Sequence, residues 1–433
     1  MDLYNRCSGD SEAEPPEMNS GIASFSERRL LLESTLKKIS EKSQAEKTTK
    51  ANKRKTFGDF TQVQQRNSSL STDFTDDFDF TDSDNDQVPN PSERQEIPKK
   101  SQVVCLLDEI IRSEKSYINN LQRGIGGYLK VFEHDIPATL KGRKFTIFGG
   151  LIEIYEFHSN IFLPKLKRCN GVLEEISNVF HRLITEDHFY SYVHYAMNNW
   201  KASSICKDHE QFFDDHREDA GDKLGIMSLL VQPIQRIPRY KLLFEHILDE
   251  LGKQIEISTQ VKSQLAAASR AWKAIEKLAV CVNASVNVKD ITECYEISLP
   301  HQGKFRDMQA FEFHDNDAGK RFKGYVFLFE KCIVYTESKN NASQKNFIYR
   351  GHYDVDSLGI IQDVNHGKLS LFRHRLGQKQ LDISGPSPTI SKWNEYIKRL
   401  VLEHFTQKKQ KGRFTWHGQT TSEIDKCWYA DVM

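Results

Sequence analysis

The chain has 433 residues, beyond the roughly 100–200 of one ordinary domain, so two domains with additional sequence are expected. Sixty basic residues cancel sixty acidic ones, which leaves no global field to recommend nucleic acid or an acidic substrate as the partner. The N-terminus lacks an apolar signal core, and no run reaches the roughly 20 apolar residues that span a bilayer. A cytoplasmic protein with no transmembrane segment is expected, with any contact at the plasma membrane peripheral. The eight cysteines are scattered without a Cys-x-x-Cys pair and read as reduced, mostly buried thiols.

Residues 1–98 are rich in Ser, Asp, Glu, Lys and Gln and are expected to be a disordered regulatory segment. Leu30, Leu31, Leu32 and Leu36 could form a transient amphipathic helix within Phe25–Ile39. The basic stretch Lys47–Lys55 precedes an acidic run, Asp73–Asp86, interleaved with Phe74, Phe78 and Phe80. That run is either a solvated tail or a docking lid tuned by phosphorylation, since Thr81 and Ser83 each have an acidic residue three positions on.

From about residue 99 to 290 the pattern is helical. The first helix places Val103, Leu107, Ile110, Ile111, Tyr117, Ile118 and Leu121 on one face, and Gly124–Gly127 are expected to weaken or end it. Glu114 lies at the centre of that apolar stripe. A carboxylate there is costly unless paired, so it is either bridged inside the protein or kept for a partner. Helices are predicted over Phe145–Leu166, Val172–Leu183, Phe189–Asn199 and His209–Arg217. A long central helix then carries Ile226, Leu230, Ile234, Ile237, Phe244, Ile247, Leu248 and Leu251 on a core-facing seam and ends at Gly252. Gln232, Gln235, Arg236 and Arg239 share another face beside Pro233 and Pro238. This reads as a shaped docking surface or as a kinked core helix with a solvated side. A last helix, Val261–Val288, bears Asn283 on its flank. Together these make an elongated all-α helical bundle.

After residue 291 the period changes. Lys304–His314, Lys323–Tyr335, Phe347–Tyr353, Gly359–Val364, Lys368–His374 and Lys379–Ile383 are short alternating runs between turn signals. A small antiparallel β-barrel over 291–405 is expected, capped by a C-terminal helix, Thr389–His404, with Ile390, Trp393, Ile397, Leu400 and Val401 on its apolar face. The basic tail 406–433 is unassigned.

Phosphate-cradling glycine loops, His-Glu-x-x-His and Gly-x-Ser-x-Gly are all absent, so enzyme chemistry has no signal, and neither a metal nor a cofactor is expected. His181, His188, His194, His209 and His216 read as surface or core histidines rather than metal ligands.

Three local motifs make the architecture specific. Ser-Glu-Lys-Ser-Tyr at 113–117, Ile-Phe-Gly-Gly-Leu-Ile-Glu-Ile-Tyr-Glu-Phe-His at 147–158, and Leu-Leu-Val-Gln-Pro-Ile-Gln-Arg-Ile-Pro-Arg-Tyr-Lys-Leu-Leu at 229–243 resemble those of the Dbl-homology/pleckstrin-homology exchange factors for Rho-family GTPases. The sequence departs at Gly150, where asparagine is usual, and at Gln232 and Lys241, where lysine and proline are frequent. Phe-Leu-Phe-Glu-Lys at 327–331 and Ile-Ser-Lys-Trp at 390–393 resemble the third strand and closing helix of the second domain.

The resemblance implies a factor that binds a Rho-family small GTPase and promotes GDP release and GTP loading without covalent chemistry. An exchange-inactive scaffold or a phosphoinositide-binding adaptor of the same fold is the alternative. By resemblance, Glu114 grips the GTPase's first switch, and Gln235, Arg239 and Asn283 face its second. Arg236 and Tyr240 fit internal packing better. Leu224 occupies a selectivity position that leans toward Rho or cell-division-control GTPases over Rac. Lys304, Arg306, Lys320, Arg321 and Lys323 are the phosphoinositide candidates.

Overall fold

The computed structural model describes residues 101–410 apart from 134–135, 255–257, 342–343, 364–366 and 374–379. The N-terminal segment expected over 1–98 and the end of the basic tail lie outside the described residues.

Among the described residues eight α-helices precede the first strand: α1 (Gln102–Val131), α2 (Lys144–Phe157), α3 (Leu163–Arg168), α4 (Leu173–Thr185), α5 (Tyr190–Asp208), α6 (Glu210–Asp215), α7 (Ile226–Gly252) and α8 (Thr259–Ser285). The glycines of α1 do not end it, contrary to the sequence expectation. They are close-approach points. A Cβ on Gly124 would lie 2.7 Å from Leu229, and one on Gly127 1.9 Å from the Ala220 carbonyl oxygen. These glycines cost helix propensity, about 1 kcal/mol each, but let α1 press against the chain leading into α7.

The helix predicted over Phe145–Leu166 is interrupted by one π-helical turn, His158–Phe162, between α2 and α3. Such a turn inserts a residue and rotates the following face. Here it lies where His158 turns into the core. Helix α7 runs unbroken through Pro233 and Pro238. Most of the predicted seam is buried, and Ile237, Phe244 and Ile247 are completely so. At roughly 1.5–3 kcal/mol per fully buried large apolar side chain, tertiary packing outweighs the two lost helical hydrogen bonds.

The second part is a single eight-stranded sheet in the order β1-β5-β4-β3-β2-β8-β7-β6. Its strands are β1 (Ile291–Thr292), β2 (Phe305–Asp315), β3 (Lys320–Phe329), β4 (Cys332–Asn341), β5 (Gln344–Asp354), β6 (Leu358–Asp363), β7 (Lys368–Arg373) and β8 (Leu381–Ser384). The run expected over Lys323–Tyr335 is two strands, split at Glu330 and Lys331. Two corrections concern topology. The short β1 pairs parallel to β5, and every other ladder is antiparallel. A closed barrel does not form, since among the described residues no ladder joins β6 to β5 or β1. Helix α9 (Ser387–Gln410) closes the core instead, burying Ile390, Trp393, Ile397, Leu400 and Val401 against Phe311, Leu328 and Ile383. It is longer than predicted and takes in the first residues of the tail.

The helical core extends into the sheet through Phe305, Phe327, Phe329 and Phe347. Polar contacts reinforce that junction. Asp187, in the turn between α4 and α5, accepts from Lys304 at 2.9 Å and from Arg306 at 2.7 and 2.9 Å, and Arg306 also reaches Glu330 at 2.6 Å. Burial pushes the Asp187 carboxyl up, but Arg306 and Lys304 outweigh it and hold the group below its ordinary value. The Tyr190 hydroxyl accepts from the Phe305 N–H at 2.9 Å.

Candidate functional site

Helices α1 and α7 run antiparallel. Tyr128 meets Asp222 just before α7, Gly124 meets Leu229, Glu114 meets Arg236, and Glu109 meets Arg239. Two different Glu–Arg pairs thus join the same helices, one inside and one outside.

The inner pair is centred on Glu114, which is 0% exposed. Arg236 Nη2 lies 2.6 Å from its Oε2, the Tyr240 hydroxyl donates to the same oxygen at 2.5 Å, and His158 Nδ1 lies 2.5 Å from Oε1. The other ring nitrogen of His158 is 2.6 Å from the Tyr192 hydroxyl, which in turn meets Tyr117 at 3.2 Å. An ionised carboxylate only accepts, so Nδ1 of His158 carries the proton that serves Glu114. The Arg236 guanidinium also lies over the rings of Tyr240 and Tyr117, at 4.4 and 5.0 Å. Burial pushes the Glu114 carboxyl up, yet the fields of His158 and Arg236 and the hydrogen bonds from His158 and Tyr240 prevail and bring it down to about 2. Burial is likewise outweighed at Arg236, which is held above the usual guanidinium range by Tyr240 and Glu114.

This corrects the role that resemblance gave Glu114. A completely buried carboxylate with three internal partners cannot also grip a GTPase switch. Arg236 and Tyr240 are internal, as expected.

The outer pair is Glu109 and Arg239, whose side chains are 40% and 50% exposed and whose Oε1 and Nη2 stand 3.7 Å apart. Five residues on a helix turn the side chain through about 140°, so Glu109 leaves the apolar stripe that holds Glu114. Sequence reasoning passed over it. The available signal was that Glu109 is the carboxylate beside the stripe rather than in it.

Around Arg239, helix α7 exposes Val231, Gln235 and Leu242, and Leu224 stands 61% exposed just before the helix begins. Their spacings of three and four put these helical residues on one side. Helix α8 flanks that side. Lys241 reaches Glu276 at 3.4 Å and the Trp272 indole N–H donates to Glu245 at 3.2 Å, which fixes an antiparallel register between α7 and α8. The same register brings Asn283 level with Ile234 and Gln235, and Val286 level with Val231. Val280, Asn283 and Val286 are all exposed. The resulting face spans three helices: Glu109 from α1, Gln235 and Arg239 from α7, and Asn283 from α8, with apolar side chains between and around them. Among the described residues no group of His, Cys, Asp and Glu could hold a metal ion. The chemistry of this face is that of a protein docking surface, a few charged and amide groups set among exposed aliphatics.

The phosphoinositide candidates are split by the structure. Lys304 and Arg306 are spent on Asp187 and Glu330 at the junction, a correction to their assignment as free headgroup ligands. Lys320 pairs with Glu337 at 3.0 Å and Lys323 with Glu312 at 3.0 Å, while Arg321 is exposed beside the β2–β3 turn. Among the described residues no helix is long and apolar enough to cross a membrane.

Comparison with known proteins gives the two parts separate matches. The RhoGEF domain model matches residues 106–283 and the SOS1/NGEF-like PH domain model matches 298–430. The human Pleckstrin homology domain-containing family G member 4B is 26% identical over 73% of this chain and 19% of its own length. Human Rho guanine nucleotide exchange factor 25 is 24% identical over 63% of this chain and 47% of its own. The chain therefore spans about a fifth and about half the length of these two relatives. Among solved structures, the PDZ-RhoGEF DH/PH domains in complex with GTP-gamma-S activated RhoA are similar at 15% identity with a TM-score of 0.40, covering 70% of this chain and 94% of that one. With a RhoGEF domain followed directly by a PH domain, and with the helical bundle and helix-closed sheet that these names denote, the chain belongs to the Dbl-homology/pleckstrin-homology family.

Proposed function

We propose that this protein is a guanine nucleotide exchange factor for a Rho-family small GTPase, docking it on the α1–α7–α8 face of a helical domain over about 99–290, with a pleckstrin-homology domain over 291–405. The observation that carries the reading is the exposed Glu109–Arg239 pair with Gln235 and Asn283 beside it, on a face whose framework is fixed from beneath by the buried Glu114 network. The RhoGEF match over the same helices supports it.

The action is binding alone. A surface that holds the nucleotide-free GTPase most tightly must, by linkage, weaken that GTPase's hold on nucleotide. GDP and Mg²⁺ leave with the remodelled switches, and GTP, abundant in cells, replaces GDP. The separated, half-exposed Glu109 and Arg239 can each be taken up by a partner at small cost, whereas Glu114 and Arg236 cannot. Leu224 at the edge of the face is the proposed selectivity contact. Cytoplasmic location, with weak recruitment to anionic membrane through Arg321, Lys320 and Lys323, completes the proposal.

The test is fluorescent-GDP release from a panel of Rho-family GTPases with the full chain. Acceleration on at least one member, lost in Arg239→Glu, is the expected result. No acceleration on any member, with the GTPases still captured by the protein, would favour the exchange-inactive scaffold.

A further inference from the structure

Among the described residues Tyr295 is the one tyrosine whose ring is exposed, at 90%; the others are buried or half-buried. It lies in the irregular segment between β1 and the short 3₁₀ turn Leu299–His301, the chain that leads from α8 into the sheet. Glu293, a non-glycine residue at φ +60°, turns the chain out of β1. Acidic side chains flank the tyrosine two residues before, at Glu293, and one after, at Glu296, both exposed.

We propose that Tyr295 is a substrate site for an ATP-dependent protein tyrosine kinase whose peptide groove favours acidic flanks, and that its phosphorylation loosens the segment joining the helical and sheet domains. In the step, the phenolic oxygen attacks the γ-phosphorus of ATP and the bond from that phosphorus to the β,γ-bridging oxygen breaks. ADP leaves, and the phenolic proton passes to the kinase's base.

Three observations make the site a control point. The segment is short of regular structure, so it can be presented to a kinase without unfolding a helix or a long strand. Its polar attachments are a two-residue ladder, Ile291 with Phe347 and Thr292 with Ile348, and the Tyr349 hydroxyl donating to Glu296 at 2.8 Å, with His352 Nδ1 3.7 Å from the same carboxylate, while the partly buried Ile291, Cys294, Ile297 and Leu299 pack against the core. A phosphotyrosine brings about −1.5 to −2 charges to the residue adjoining Glu296. Like-charge repulsion then draws Glu296 away from Tyr349 and weakens the hold on the segment.

The experiment uses the full chain with Mg-ATP and a purified tyrosine kinase of acidic substrate preference, followed by site-resolved mass spectrometry at short times. Tyr295 is expected to acquire phosphate at least about tenfold faster than Tyr117 or Tyr240, which require local opening, and Y295F to lose that early incorporation. Labelling of Tyr295 no faster than of those buried tyrosines would overturn the site. The consequence is read from alkylation of the half-buried Cys294, whose thiol lies 3.6 Å from the Ile297 carbonyl oxygen, with exposed Cys105 as internal standard. Phosphorylation should speed the Cys294 reaction about fivefold relative to Cys105, as a like-charge contact opens the segment. An unchanged ratio would overturn the loosening. Both readouts are independent of nucleotide exchange, so failure of the exchange proposal leaves them standing.

Discussion

Helices α1 and α7 are joined by two glutamate–arginine pairs about one turn apart, and their environments make them opposites. Glu114 and Arg236, 0% and 4% exposed and 2.6 Å apart, are buried and held by His158, Tyr240 and Ser113, with Arg236 Nε left without a hydrogen-bond partner. Glu109 and Arg239 are 3.7 Å apart in solvent, where an ion pair contributes about 0–1 kcal/mol. The inner pair contributes register and rigidity but cannot reach a ligand. The outer pair adds little to folding, and for that reason its side chains are free to be taken by another protein. Residue type and helix are shared, so burial alone assigns the roles.

The sharpest way to break this contrast is to delete the inner carboxylate. Glu114→Ala leaves Arg236 buried and unpaired and should cost about 3–5 kcal/mol, read as a large fall in melting temperature. A variant that melts like the wild type would erase the distinction. The same pair predicts an acid limb. Glu114 titrates lower folded than unfolded, so its contribution, up to about 3 kcal/mol, is complete above pH ~4.5 and is lost as pH falls toward about 2. Glu114→Gln should flatten that limb of the stability–pH curve.

The outer pair should behave in reverse. Arg239→Ala and Glu109→Ala should change stability by no more than about 0.5 kcal/mol, as surface substitutions do, yet lower fluorescent-GDP release on a responsive GTPase at least tenfold. Loss of stability without loss of exchange would move the pair into the structural class. Asn283→Ala removes hydrogen bonds from the same face and should slow exchange about tenfold, from ~1–3 kcal/mol of unsatisfied polar groups in the complex.

Smaller effects sharpen the same rule on the sheet domain. Replacing Lys320, Arg321 and Lys323 by Glu should weaken salt-sensitive liposome sedimentation by roughly 1 kcal/mol per residue. Lys304→Ala, in which the removed ammonium faces Asp187, should weaken the domain junction and leave sedimentation unchanged. Equal loss of sedimentation in both would return Lys304 to the lipid surface. Smallest of all, Leu224→Ile should shift preference among Rho-family members by about 1 kcal/mol, the scale of one relocated methyl group.

Much of this was legible in the chain itself. Apolar spacings of three and four placed the long helices, alternation placed most of the strands, and the stretch at 229–243 pointed to a Rho-family exchange factor. Gln235, Arg239 and Asn283 were named from sequence, and each of them is exposed in the structure. Glu114 was recognised as an unexplained carboxylate in an apolar stripe, but periodicity gives the face of a helix and not what packs on it. Its partners come from residues 44, 122 and 126 positions away, and one of them, His158, enters the core from the π-turn that follows α2.

The sequence by itself therefore determined most of the elements, their order and the family resemblance, because periodicity and short motifs are local properties of the chain. Tertiary structure decided which of two carboxylates on α1 is sealed and which is offered. It also decided that Lys304 and Arg306 pair with Asp187 across the junction, and that α9 rather than a closing ladder completes the sheet core. Each of those outcomes depends on which distant groups arrive within hydrogen-bonding reach and how much water they exclude. No stretch of sequence contains either quantity.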